Sequence, residues 1–232
     1  MERLKVNVEY AGYEDNEGVI QEIRFRLHAG ELVGLIGPNG AGKSTTIKAI
    51  LGLLKKMSGK IEILGENQTI GYIPEHPVLY EELTLWEHLE LAAAAYEIPE
   101  SEFRARAEEL LDKFRLSDVR HHLTTSFSKG MQQKAMLVIG FLLKADVYIV
   151  DEPFIGLDPK ATKQLLDLLN EERHRGAAIL MSTHVLDTAE RICSSFVLLD
   201  GGRIVAQGNM AEIREACGLP EATLFECFHS LT

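Results

Sequence analysis

Hydrophobic and polar residues alternate in two stretches near the start of the chain. The alternating apolar residues are Val6, Val8 and Tyr10 in the first stretch and Ile23, Phe25 and Leu27 in the second. A period of two residues is typical of strands with one buried and one solvated face. The acidic, glycine-containing segment 12–18 indicates a turn between them. The pattern therefore predicts two antiparallel strands at the N-terminus.

Apolar runs alternate with helical periods along the core of the chain. The runs at 32–36, 147–150 and 177–181 predict buried strands. The helices that follow them are predicted at 46–54, 159–175 and 185–193. Further strands are predicted at 60–64, 196–199 and 203–206, the last two joined by a hairpin turn at Asp200-Gly201-Gly202. Strands that alternate with helices are typical of an α/β fold with a mostly parallel sheet.

The middle of the chain is predicted to be helical. Thr84 and Glu87 form a capping-box pattern that opens a helix ending at Tyr96, before Pro99. A second helical period comprises Phe103, Ala107, Leu110, Leu111 and Phe114, and a third helix is predicted at 131–143. We therefore expect a single domain, 1–232, in which 1–77 and 144–232 form an α/β core with an N-terminal antiparallel β subdomain and 78–143 form an inserted helical subdomain.

Net charge, cysteine content and the length of the apolar runs limit the kinds of partner and location that the chain can have. The net charge is −11 and no stretch is rich in Lys or Arg, which argues against nucleic acid because binding its phosphate backbone needs a basic face. The three scattered cysteines indicate reduced thiols of a cytoplasmic protein. The longest apolar run, 135–143, has nine residues, whereas a membrane-spanning helix needs about 20. Any membrane function therefore requires a second chain.

The segment 37–44 matches the phosphate-binding pattern G-x-x-x-x-G-K-[ST], between a predicted strand and a predicted helix. Its glycines allow backbone N–H groups to point at phosphate oxygens, and the helix N-terminus adds partial positive charge. The predicted nucleotide-binding residues here are Gly37, Pro38, Asn39, Gly40, Ala41, Gly42, Lys43, Ser44 and Thr45. Lys43 is expected to reach the β- and γ-phosphates, and the Ser44 hydroxyl to bind Mg²⁺. The sequence therefore predicts a P-loop NTPase core that binds a nucleoside triphosphate.

Three further segments carry candidate chemistry. Asp151 and Glu152 end a buried strand, where Asp151 can bind magnesium and Glu152 can activate water. Ser128 and Gly130 precede a helix and form either an anion site or an ordinary N-cap. His184 follows a strand and either donates to a γ-phosphate or is structural.

These segments, in this order, resemble the ATP-binding subunits of ABC transporters over nearly the whole chain. In that resemblance 37–44 is the Walker A loop, 147–152 is the Walker B strand with the catalytic glutamate at Glu152, and 127–132 is the family signature. It makes 156–158 the D-loop and His184 the switch histidine. It also implies an aromatic ring that stacks on adenine, for which we favour Tyr13 over Tyr10.

Two departures from the common family pattern point to a branch. The signature 127–131 is F-S-K-G-M rather than L-S-G-G-Q, and Glu75 stands at the usual glutamine of the Q-loop. Both departures resemble the exporter-type branch of the family. The sequences of these motifs are also similar to those of the Ecs-type ATPases of Gram-positive bacteria. A carboxylate at position 75 can bind Mg²⁺, although it adds negative charge beside the γ-phosphate.

The resemblance implies an ATPase in which two subunits close head to tail on two ATP molecules. Ser128 and Gly130 of one subunit would contact the γ-phosphate held by the other, which is a second copy or a homologous ATPase subunit. Hydrolysis would drive a membrane-spanning permease from the inner face of the cell membrane. The alternatives are a soluble ABC-type ATPase that acts on nucleic acid or ribosomes and a regulatory module without hydrolysis. The first is opposed by the acidic charge, and the second by the presence of Lys43, Asp151, Glu152 and His184.

Overall fold

The computed structural model describes residues 1–232 and confirms the α/β fold. Two sheets form its framework. A three-stranded sheet has the order β2-β1-β4, and a six-stranded sheet has the order β5-β6-β7-β3-β8-β9. The strands are β1 Glu2–Tyr13, β2 Asn16–His28, β3 Leu32–Ile36, β4 Lys56–Ile63, β5 Ile70–Ile73, β6 Val147–Asp151, β7 Ala178–Thr183, β8 Ser195–Asp200 and β9 Arg203–Gly208. The helices are α1 Lys43–Ile50, α2 Leu85–Ala95, α3 Glu100–Phe114, α4 Lys129–Leu142, α5 Pro159–Arg175, α6 Leu186–Ile192, α7 Met210–Cys217 and α8 Leu224–Leu231.

The N-terminal sheet is antiparallel, as predicted. Tyr10, however, lies on the solvent face of this sheet and not on the predicted buried face. Val6 and Val8 are buried whereas Tyr10 is exposed. The pairing between β1 and β4 shifts register between Val8 and Tyr10. An extra residue in one strand reverses the side-chain alternation beyond it, so Ala11 is buried in place of Tyr10.

The six-stranded sheet positions the candidate chemistry at one edge. Strands β5, β6, β7, β3 and β8 are parallel, and β9 is antiparallel to β8. In this register Ile36 pairs with Thr183 and Asp151 pairs with Ser182. The carboxyl ends of β3, β6 and β7 therefore lie side by side, which is where open α/β sheets bind ligands.

Three helices, α2 to α4, lie between β5 and β6 in the chain. The Thr84–Glu87 capping box is present at the start of α2, as predicted. The apolar period predicted for α3 is completely buried, and it shares one hydrophobic cluster with Ile73 and Tyr148 of the sheet. The helical segment therefore packs on the sheet through a common core. We retain 78–143 as a proposed subdomain.

The prediction missed β5 and the two C-terminal helices, and several boundaries were wrong. Helix α1 begins inside the phosphate-binding pattern, at Lys43, and β4 begins four residues before the predicted strand. Helices α7 and α8 each start with a capping box, formed by Asn209 with Glu212 and by Thr223 with Glu226. Their buried residues join Phe196 and Leu198 in a separate cluster beside β8. Among all these helices, none has the length and apolarity to cross a membrane.

Candidate active site

The phosphate-binding loop connects β3 to α1 at the carboxyl edge of the sheet. Gly42 has a φ of 103° and would place a Cβ 2.6 Å from Ile20 Cγ2, so only glycine fits there. No side chain caps α1 and no acidic residue lies in its first turn, unlike the capped α2, α7 and α8. The first amides of α1 are therefore available to an anionic ligand.

Lys43 lies inside the loop. Its ammonium donates hydrogen bonds to the carbonyl oxygens of Gly37 at 2.6 Å and Pro38 at 3.1 Å. Burial lowers the pKa of Lys43, and the carboxylates of Glu152, Asp151 and Glu75 act to raise it. The lysine therefore sits between the loop and a group of three acidic side chains, whose charges partly oppose the effect of burial.

Asp151 ends β6 as a buried carboxylate. Its Oδ1 accepts a hydrogen bond from the hydroxyl of Ser182, which is fully buried on β7. Burial raises the pKa of Asp151, and the Ser182 hydrogen bond opposes this shift. Glu75 acts to raise the same pKa through like-charge repulsion, which indicates that the two side chains face a common region. A site with these hard oxygen donors favours a small divalent cation.

Glu152 follows in a strained backbone conformation. Its φ is 46°, a left-handed value that is uncommon for a residue with a Cβ. The amide of Glu152 donates to Ser182, at 3.2 Å to the carbonyl and 3.1 Å to the hydroxyl. Glu152 Oε1 lies 2.9 Å from Nδ1 of His184. Backbone strain of this kind often occurs at functional sites, and here it accompanies a paired carboxylate and imidazole.

The signature segment is not hydrogen-bonded to the phosphate loop of its own chain. Ser128 caps α4 by accepting from the amide of Met131 at 3.3 Å, and its side chain makes no hydrogen bond to the phosphate loop. Gly130 faces Gly156, since a Cβ at Gly130 would lie 3.4 Å from the Gly156 carbonyl oxygen. Ser128 is exposed, as are Gly156 and His184. The candidate residues thus form two groups, one around the buried Lys43, Asp151 and Glu152 and one at the exposed signature segment.

Comparison with known proteins decides the family. The family model described as ABC transporter matches residues 20–155. The ABC-type transporter ATP-binding protein EcsA of Bacillus subtilis (strain 168) is 45% identical over 100% of this chain and 97% of its own length. This chain belongs to the ABC transporter ATP-binding protein family. The match with EcsA also supports the Ecs-type resemblance.

This ABC transporter ATP-binding protein is also similar to one further sequence relative and to one solved structure. YthP of Bacillus subtilis (strain 168), an uncharacterized ABC transporter ATP-binding protein, is 51% identical over 97% of this chain and 95% of its own length. A solved structure of the ATP-binding subunit of an ABC transporter superposes with a TM-score of 0.93, at 47% identity over 99% of each chain. Members of this family bind and hydrolyse ATP and work with membrane permeases, so this chain is an ATPase.

The two candidate tyrosines of this ABC transporter ATP-binding protein lie in different surroundings. Lys48 of α1 donates to the Tyr13 hydroxyl at 3.2 Å, and its ammonium lies 5.2 Å from the ring centroid. Tyr13 is therefore tied to the helix that follows the phosphate loop. Tyr10 instead lines a surface depression in which three glutamates, Glu9, Glu17 and Glu22, outnumber the one cation, Arg203, which disfavours a nucleotide there.

Sequence reasoning missed two residues that the structure places in the site of this ABC transporter ATP-binding protein. Ser182 bridges the Asp151 carboxylate and the Glu152 amide. Ser182 could be recognised in the sequence as a hydroxyl near the end of a predicted strand. Its contact with Asp151 follows only once β6 and β7 are known to be neighbours in the sheet. Lys134 pairs with Asp158 across two segments far apart in sequence, and no local pattern indicates that contact.

Proposed function

We propose that this chain hydrolyses ATP at sites shared between two ATPase subunits and thereby drives a membrane-spanning partner. The observation that carries the proposal is the 2.9 Å contact between Glu152 and His184, beside the buried Lys43. A carboxylate that can accept a proton and an imidazole that can donate one thus lie beside a lysine suited to β- and γ-phosphate. Membership of the ABC transporter family supports the same reading.

The proposed chemistry assigns one task to each residue. Glu152 accepts a proton from water as the water oxygen bonds to the γ-phosphorus and the bond to the β,γ-bridging oxygen breaks. His184 contacts Glu152 through Nδ1, and in its imidazolium form it can at the same time donate a hydrogen bond from Nε2 to the transferring phosphoryl group. Lys43 and the amides of the phosphate loop neutralise the charge that develops on the phosphate oxygens.

We propose that Ser44, Asp151 and Glu75 hold Mg²⁺. Ser44 is exposed at the start of α1, and the carboxylates of Asp151 and Glu75 offer further oxygen ligands. A bound Mg²⁺ neutralises phosphate charge. Ser182 contributes by holding the Asp151 carboxylate in place. In this arrangement Glu75 adds a ligand where the common family pattern has a neutral amide.

Exposed residues around the phosphate loop and His184 support a site shared between two subunits. Two cavities, of about 600 and 550 Å³, are lined by residues outside the phosphate loop, and Pro38, Asn39 and Gly40 of the loop are exposed at the surface. Ile155 and Val185 expose apolar side chains next to the D-loop and His184. An exposed apolar rim around a polar site is typical of a protein interface. Two subunits related by a two-fold axis would each complete the other's site.

Ser128→Arg tests the shared site. The arginine would occupy the γ-phosphate position across the interface, so we expect ATP-driven dimerisation and hydrolysis to fail. The isolated subunit should still bind ATP with unchanged affinity, because the hydrogen bond that Ser128 makes is to Met131 of α4 and not to its own phosphate loop. Calorimetry and size-exclusion chromatography with ATP measure the two effects. Loss of ATP binding by the monomer would place Ser128 in the same subunit's pocket.

Tyr13→Ala tests the adenine contact, with Tyr10→Ala as the matched control. Base–aromatic stacking contributes about 1–3 kcal/mol, so Tyr13→Ala should weaken ATP binding by about tenfold. Tyr10→Ala should leave the affinity unchanged, since its ring lies in the acidic depression. The measurement is the ATP dissociation constant of each variant. The opposite ranking would assign the stacking ring to Tyr10.

A membrane partner is proposed to dock near 77–85. Val78 is 76% exposed and Tyr80 is 62% exposed, a pair of apolar side chains that fits a short amphipathic helix. Leu79 lies between them in the chain but does not share this surface, because it packs partly buried against the core. Trp86 packs against Phe103 with ring centroids 5.3 Å apart. The exposed apolar surface is therefore limited to Val78 and Tyr80.

Val78→Asp and Tyr80→Asp should uncouple the chain from its membrane partner while ATP binding persists. A carboxylate on this surface would have to be desolvated on docking. The measurement is co-purification from detergent-solubilised membranes, with Leu53→Asp, another exposed apolar residue, as the control. An intact complex with both variants would exclude this surface. Co-purification of nucleic acid or ribosomes in place of a polytopic membrane protein would favour the alternative function and contradict a location at the inner membrane face.

A further inference from the structure

An ion pair joins the signature helix to the D-loop within one subunit. Lys134 Nζ, on α4, lies 2.8 Å from Oδ2 of Asp158. The other carboxylate oxygen of Asp158 accepts from the Ala161 amide at 2.8 Å and so caps α5. The hydrogen bond from Lys134 is the main reason why the pKa of Asp158 is lowered, and the Ala161 amide acts in the same direction. Both oxygens of Asp158 are therefore engaged.

The backbones of the same two segments also lie near each other. A Cβ added to Gly130 would lie 3.4 Å from the Gly156 carbonyl oxygen, at van der Waals distance. Lys134 follows Gly130 by about one helical turn on α4, and Asp158 follows Gly156 by two residues. The backbone proximity and the ion pair thus lie beside each other. The ion pair is the direct interaction between the signature helix and the D-loop at this point.

We propose that Lys134 and Asp158 are positioning residues that hold the signature segment and the D-loop as one surface for the second subunit. The proposal rests on the shared ATP site put forward above. Ser128 and Gly130 can close on the partner's ATP only if α4 is correctly placed relative to 156–158, which lie at the same face. The pair acts through these residues and does not itself touch the nucleotide.

The ion pair between Lys134 and Asp158 is partly exposed, so we do not expect its main role to be stabilisation of the fold. The side chains of Lys134 and Asp158 are 20% and 53% exposed, and ion pairs of this kind contribute little to folding stability. The chain offers a matched control in Lys113, whose ammonium lies 2.7 Å from Glu171 of α5, with side-chain exposures of 21% and 51%. That pair also joins the helical segment to α5, but it does not involve the signature segment.

The test is a double-mutant cycle in the Glu152→Gln background, in which ATP-bound dimers are expected to accumulate. Lys134→Gln removes the cation, and Asp158→Asn removes the charge while keeping a good N-cap for α5. We expect each change to raise the dimer dissociation constant with ATP by about tenfold. The double variant should be no weaker than either single one, and Lys134→Arg should restore dimerisation. Monomer ATP affinity and melting temperature should stay unchanged, as should dimerisation of Lys113→Gln.

The outcomes distinguish this inference from the function on which it rests. Unchanged dimerisation of Lys134→Gln, or strictly additive effects in the double variant, would overturn the positioning role while ATP-dependent dimers of Glu152→Gln persist. An equal loss with Lys113→Gln would assign the effect to the general attachment of the helical segment. Absence of ATP-dependent dimers in the Glu152→Gln parent would overturn the shared site and the inference with it.

Discussion

Glu152→Gln is expected to bind ATP normally and to lose turnover by about a hundredfold or more. The amide keeps the shape of the side chain and can still contact His184, but it cannot accept the proton of the attacking water. The closed, ATP-bound dimer should then accumulate because hydrolysis no longer opens it. Turnover is measured by phosphate release, and dimers by size-exclusion chromatography with and without ATP.

The control for this variant is Glu171→Gln, which neutralises an exposed carboxylate on α5. It should leave turnover at the wild-type level, because its charge lies away from the phosphate loop. Near wild-type turnover of Glu152→Gln would show that another group activates the water. A loss of ATP binding would instead show that Glu152 supports the nucleotide pocket.

Lys43→Ala should weaken ATP binding by at least about tenfold, since it removes the main cationic contact to the β- and γ-phosphates. The lysine also donates to the carbonyls of Gly37 and Pro38, so the loop could change shape as well. A thermal melt checks that the fold persists. Lys160→Ala, at an exposed lysine on α5, is the control and should bind ATP as the parent does. Unchanged affinity of Lys43→Ala would refute the assignment of the phosphate loop.

Features set by neighbouring residues could be predicted from the sequence. The phosphate loop depends on a strand, a glycine-rich turn and a helix that are consecutive, and the acidic end of β6 depends on one apolar run. The capping boxes of α7 and α8 were equally local and could have been read from Asn209 and Thr223. Those helices were missed although their signal was present.

Features set by distant contacts could not be predicted. The reversal of Tyr10 follows from a register shift against β4, which depends on how two separated strands pair. Ser182 meets Asp151 only because β6 and β7 are neighbours, and Lys134 meets Asp158 only once α4 packs beside the start of α5. Each depends on tertiary packing, which the period of a single segment does not encode.

The most direct test of the shared ATP site mixes two inactive variants. Lys43→Ala lacks a working phosphate loop, and Ser128→Arg lacks a working signature. In a head-to-tail dimer of one subunit of each, the intact loop of the second meets the intact signature of the first. Equal mixing should therefore restore ATPase activity, up to about half of wild type, because neither variant dimerises productively with itself and each mixed dimer has one complete site out of two. Activity no greater than the sum of the separate variants would contradict a site built from two subunits.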